Sequence, residues 1–167
     1  MKHLELIQKK IKTATEIKHL LSVWRFKEEK IVFTNGCFDI LHQGHIHLLS
    51  AAADLGKHLI IGLNSDASIQ RIKKPGRPLQ TEQSRALVLA ALNFVDSVII
   101  FDEDTPQNLI ELILPDVLVK GGDYTIDTIV GAKTVLENGG DVQVIPLLAG
   151  FSTTNIEDKI KSNLPYK

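Results

Sequence analysis

One cysteine, Cys37, occurs in the 167 residues, which excludes an internal disulfide and fits a reducing compartment. Charge of one sign is missing too. The 19 basic side chains are matched by 20 acidic ones, a formal net charge of −1, so the basic excess of a general nucleic-acid binder does not occur. No apolar run approaches the roughly 20 residues needed to span a bilayer. The opening stretch, MKHLELIQKKIKTATEIKHLL, is charged throughout and lacks the apolar centre of a secretory leader. A cytoplasmic protein without membrane or nucleic-acid partners is the expectation. Neither the phosphate loop GxxxxGK[ST] nor the fingerprint GxGxxG is present, so the commonest nucleotide motifs are excluded. Repeats, low-complexity tracts and long linkers are absent as well.

What the chain does contain suits one domain with a core of its own. Its 44% hydrophobic and 23% charged residues are ordinary for a soluble globular protein. Short β-branched blocks at 30–34, 58–64, 96–101, 116–121 and 141–146 read as strands buried on both faces. Helical patterns occupy 44–55, 81–93, 105–114, 126–138 and 152–162. Thr105-Pro106 marks one helix start, and ENGG at 137–140 marks a stop. Strands alternating with helices predict an α/β fold, a Rossmann-like parallel five-stranded sheet flanked by helices. Residues 1–28 form an N-terminal helical extension packed on the outside, ahead of the main domain at 29–167. Ligands of such sheets gather at the carboxyl ends of the strands. The segments 35–45, 64–78, 120–125 and 147–154 would meet there.

Half of the six histidines fall in FTNGCFDILHQGHIHLL, residues 33–49. Gly36 permits a tight turn, and a helix starting around 42–44 leaves free N–H groups and partial positive charge at its first turn. That end suits phosphate. His42 and His45, three apart, share one face, and Gly44 removes a side chain between them so that a bulky anion can sit against the backbone. Asp39 is placed to orient one imidazole or to cap the turn. His47 lies off that face and reads as structural. Zinc chelation by His-x-x-His is the alternative, but it lacks a third ligand other than Asp39, and no cysteine pair supplies one. Cys37 reads as a small buried residue whose backbone lines the turn rather than as a nucleophile.

GCFDILHQGH resembles the HxGH signature of the nucleotidyltransferase superfamily. The match continues through NSD (64–66), VKGGDY (119–124) and GFSTTNI (150–156), so it covers about residues 30–162. The set is most similar to the adenylyltransferase domain of bacterial heptose 1-phosphate enzymes, a domain often fused to a sugar kinase. The resemblance implies a fold of nucleotidyltransferase type. The reaction implied joins ATP and D-glycero-D-manno-heptose 1-phosphate to give ADP-heptose, a lipopolysaccharide precursor, and pyrophosphate. It also implies a homodimer, and Mg²⁺ bound mainly through ATP phosphates with no protein metal site.

The resemblance extends to residue roles. His42, His45, Lys74 and Arg85 would be catalytic, with Lys73 and Lys74 on a loop that closes over phosphates. Thr34, Gly36, Cys37, Phe38 and Asp39 would bind nucleotide, as would Lys73, Lys120, Gly121 and Asp123. Ser152 and Thr153 would cap the last helix and aim its N–H groups at the β- and γ-phosphates, and Thr154 would also bind nucleotide. Asn64, Asp66 and Tyr124 would shape the sugar-phosphate pocket. Relatives that use CTP with glycerol phosphate carry an arginine before the Ser-Thr-Thr element, where this chain has Leu147, Leu148 and Ala149. ATP is therefore the better donor. CTP or GTP, another phosphorylated acceptor such as glycerol 3-phosphate, and a non-catalytic nucleotide-binding domain are the alternatives.

Overall fold

The β-branched blocks become strands of one sheet in the computed structural model, which describes residues 2–122 and 124–162. They are β2 (Ile31–Gly36), β3 (His58–Asn64), β4 (Ser97–Phe101), β5 (Val117–Gly121) and β6 (Asp141–Ile145). The sheet nevertheless has six strands, in the order β1-β4-β3-β2-β5-β6, with every pairing parallel. The additional strand, β1 (Ile11–Lys12), is two residues long and pairs with Val98 and Ile99. Two residues among charged neighbours carry no readable alternation, so only the pairing with β4 creates this strand.

Side chains of alternating parity divide between two cores. Phe33, Ile60, Ile99 and Leu118 face α2 (Ala14–Phe26), α6 (Gln107–Ile113) and α7 (Ala132–Glu137). Val32, Ile61, Val98 and Val119 face α3 (Gln43–Ala53) and α5 (Glu82–Ala90). The N-terminal segment does not simply lie outside. After α1 (Lys2–Gln8), Thr13 and Glu16 form a reciprocal capping box, and α2 then buries Ile17, Leu21 and Trp24 in the first core. Glycine decides another difference. The helical pattern at 126–138 divides into a 3₁₀ turn (Ile126–Thr128) and α7, because Gly131 takes φ +84°. A Cβ there would come within 2.5 Å of Ile110. Pro106, expected at the first helical position, sits one residue before α6 as its N-cap.

The strand order reverses at β2, whose neighbours are β3 on one side and β5 on the other. A crevice opens where connections leave such a point in opposite directions. Two more helices border it: α4 (Asp66–Ile72), capped by Ser65, and α8 (Thr153–Ser162).

Candidate active site

A cleft of about 590 Å³ lies at the carboxyl ends of the central strands. Asn35 and Gly36 enter it from β2, Asn64 from β3 and Lys120 from β5. The four post-strand segments singled out by sequence all reach it, through His45, Lys73, Tyr124 and Thr153 among others.

His42 is the N-cap of α3, with extended backbone (φ −142°) and no capping bond from its side chain. Its ring instead stacks on that of His45, centroids 3.8 Å apart and 24° from parallel, while Phe38 meets His45 edge-on at 5.2 Å. His45 lines the cleft. Gly44 makes the stack possible, since a Cβ there would lie 3.1 Å from the His42 ring and 3.3 Å from Phe151. The space beside Gly44 is thus taken by an imidazole and by the segment before α8, not left open for a bulky anion. Nδ1 of each ring is buried without a hydrogen-bond partner. Burial pushes His45 down to about 4, with His42 beside it adding to the effect, and burial lowers His42 as well. Both rings are neutral at pH 7, and a neutral imidazole still donates through one nitrogen.

That depression has a consequence for stability. Below pH 6.5 the unfolded chain takes up a proton that folded His45 refuses until about pH 4, so stability falls across this window. His45→Asn, which cannot titrate, should lose less stability than the wild type between pH 7 and about pH 4.5. Urea midpoints at the two pH values test this, and equal losses in both proteins would exclude the buried neutral ring as the cause.

Asp39 does not orient a histidine or cap the α3 turn. Its carboxylate accepts from the backbone N–H of Leu79 (2.8 Å) and of Gln80 (3.1 Å) and pairs with Arg77, while its carbonyl accepts from Gln80 Nε2. Arg85 is farther still from its expected place. It is 1% exposed, and Nη1 donates to the carbonyls of Cys37 (2.7 Å) and Asn64 (2.9 Å). Nε donates to the Gln80 carbonyl, and Nη2 pairs with Asp66 at 2.7 Å. A guanidinium with these partners ties the loops after β2 and β3 to α5 and does not face the cleft. Asp66 belongs to this tie rather than to the pocket wall.

The cleft's positive charge comes from Lys73, Lys74, Arg77 and Lys120. Burial lowers the pKa of Lys120, whose ammonium donates to Asn35 Oδ1 at 3.1 Å and lies 5.9 Å from the centre of the Tyr124 ring. Burial also raises the Cys37 thiol, which keeps it protonated and unreactive. Among the described residues, no three His, Cys, Asp or Glu side chains are arranged to hold a metal ion.

A family model described as cytidylyltransferase-like matches residues 33–164, most of the chain. The chain belongs to the cytidylyltransferase-like family. It is a nucleotidyltransferase, and its architecture is of that type. It is 53% identical over 151 residues to the bifunctional protein HldE of Syntrophotalea carbinolica, covering 90% of this chain and 31% of that protein. The HldE of Mesorhizobium japonicum is 52% identical, with 89% and 30% covered. The chain thus spans about a third of the length of these relatives. A lipopolysaccharide core biosynthesis protein from Thermoplasma volcanium superposes with a TM-score of 0.59 at 27% identity, covering 72% of this chain and 97% of that one.

Within this cytidylyltransferase-like chain, the cleft brings together many of the residues singled out by motif. Gly36, Cys37, Phe38, Asp39, His45 and Asn64 line it, as do Lys73, Lys74, Lys120, Tyr124, Thr153 and Thr154. His42 joins through the stack, and Ser152 caps α8 by accepting from the N–H of Asn155 at 3.0 Å. Thr34 is fully buried in β2 with its hydroxyl unpartnered, away from the cleft wall. Gly121 serves packing, since a Cβ there would meet Leu48 at 2.8 Å. Asp123 lies outside the described residues. Motif reading passed over Arg77, Glu157 and the Asp104-Thr105-Pro106 corner, all of which line the cleft. The sequence signal for Arg77 was its place in the same basic loop, KKPGR, as Lys73 and Lys74.

Proposed function

We propose that the protein transfers AMP from ATP to D-glycero-D-manno-heptose 1-phosphate, giving ADP-heptose and pyrophosphate. The observation that carries this reading is the stacked, neutral His42–His45 pair at a helix start, His45 of which lines a cleft with lysines on its other walls. The likeness to a lipopolysaccharide core biosynthesis protein supports a role in that assembly, and the heptose acceptor follows from the motif resemblance.

The acceptor's phosphate oxygen attacks the α-phosphorus in line and pyrophosphate departs, with no covalent enzyme intermediate. A phosphate monoester has its second pKa near 6, so the attacking oxygen arrives ionised and needs no enzyme base. Charge grows on the α-phosphate oxygens and on the leaving group. His42 and His45 donate hydrogen bonds there, and the lysines supply fixed positive charge in a partly dehydrated cleft. Mg²⁺, carried in on the ATP phosphates, would add positive charge to that of Lys73, Lys74 and Lys120.

CTP is the competing donor, favoured by the description of the family model. Against it stands the apolar run Leu147, Leu148, Ala149 before α8. ATP should exceed CTP in kcat/KM by at least about tenfold, roughly 1.4 kcal/mol of differential transition-state binding. Pyrophosphate release with each triphosphate and heptose 1-phosphate measures this. Equal or faster turnover with CTP would overturn the adenylyl assignment.

A further inference from the structure

The helix α8 supplies Thr153 and Thr154 to the cleft, yet none of its side chains is buried. Ile156 is its one half-buried apolar side chain, so the helix leans on polar ties for its docking. Glu157, on its second turn, pairs with Nη2 of Arg77, and Nη1 of the same guanidinium pairs with Asp39. Asp39 is held in turn by the backbone of Leu79 and Gln80. One arginine thus joins the loop after β2, the basic loop 73–80 and α8, and each of these forms part of the cleft wall. The bridge is shielded: the side chains of Asp39, Arg77 and Glu157 are 8%, 17% and 24% exposed, so salt screens it less than a surface pair. It also resolves an electrostatic conflict. Two carboxylates beside a polyanion would repel it, whereas a guanidinium between them leaves neither bare.

We propose that Arg77 is a positioning residue: its bridge from Asp39 to Glu157 holds α8, with Thr153 and Thr154, against the cleft and so sets the affinity for the triphosphate. The inference rests on the nucleotide reading above. Arg77 touches no reacting atom in this role, so its loss falls on KM and not mainly on kcat.

Glu157→Gln and Arg77→Gln separate the possibilities. Both should speed hydrogen exchange of the α8 amides in the ligand-free protein and raise the KM for ATP by about tenfold. The double variant should be no worse than the poorer single one, because the two side chains form one tie. Arg77→Lys keeps the charge but cannot fork between two carboxylates, and should give an intermediate KM. Unchanged exchange in α8 would overturn the proposal whatever the kinetics. So would a lower KM in Glu157→Gln, which would mark Glu157 as simple repulsion toward the anion. Faster exchange in the variants, with no ATP binding by the wild-type protein in calorimetry, would instead overturn the transferase reading and leave the bridge purely structural.

Discussion

Alanine at His42 or at His45 is expected to lower kcat by about 10² or more, the scale of losing one preorganised donor to a developing oxyanion. The stack sets the reason. Two neutral rings 3.8 Å apart, one of them lining the cleft, are held where charge would appear on the triphosphate. Each also keeps a buried nitrogen without a partner in the protein, at a cost in stability, which leaves that atom open to a ligand. Steady-state pyrophosphate release, with circular dichroism to confirm folding, makes the comparison. Two folded variants that turn over near the wild-type rate would mean that the pair is structural.

Arg85→Met is expected to act through stability. The change removes donors to three backbone carbonyls and leaves the Asp66 carboxylate without its partner. Breaking a buried pair in this way costs about 3 kcal/mol or more, which for a chain of this size lowers Tm by roughly 10 °C. Thermal unfolding by calorimetry reads the shift. Arg85 as a direct phosphate contact predicts the reverse pattern, an unchanged Tm with kcat reduced a hundredfold or more. Because Arg85 fastens the loop carrying Cys37 to the end of β3 at Asn64, the folded fraction of the variant should also bind nucleotide less tightly.

The histidine variants and Arg85→Met mark the boundary between local and long-range information. His42 and His45 are three residues apart, and a helix start at that point follows from local chain stiffness and glycine placement. Their common face was therefore legible, as were the five longer strands, although β6, at the sheet edge, exposes Asp141 and Gln143 rather than being buried on both sides. Ser152 as a cap was legible for the same reason, because a hydroxyl three residues before an N–H makes its own partner.

Arg85 was different. In sequence it is a helix arginine among polar neighbours, while its partners Cys37 and Asn64 lie 48 and 21 residues away. Asp39 likewise finds Arg77, Leu79 and Gln80 about forty residues downstream. The short strand β1 exists only because β4 offers it an edge. By itself, then, the sequence determined the alternation of strands and helices, the histidine pair and the glycine beside it, since these depend on spacing along the chain. The tertiary structure alone decided which charged side chains face the cleft and which hold the walls together. A charged group takes its role from whatever opposite charge or carbonyl the fold brings within about 3 Å, and that distance is set by packing of the whole sheet.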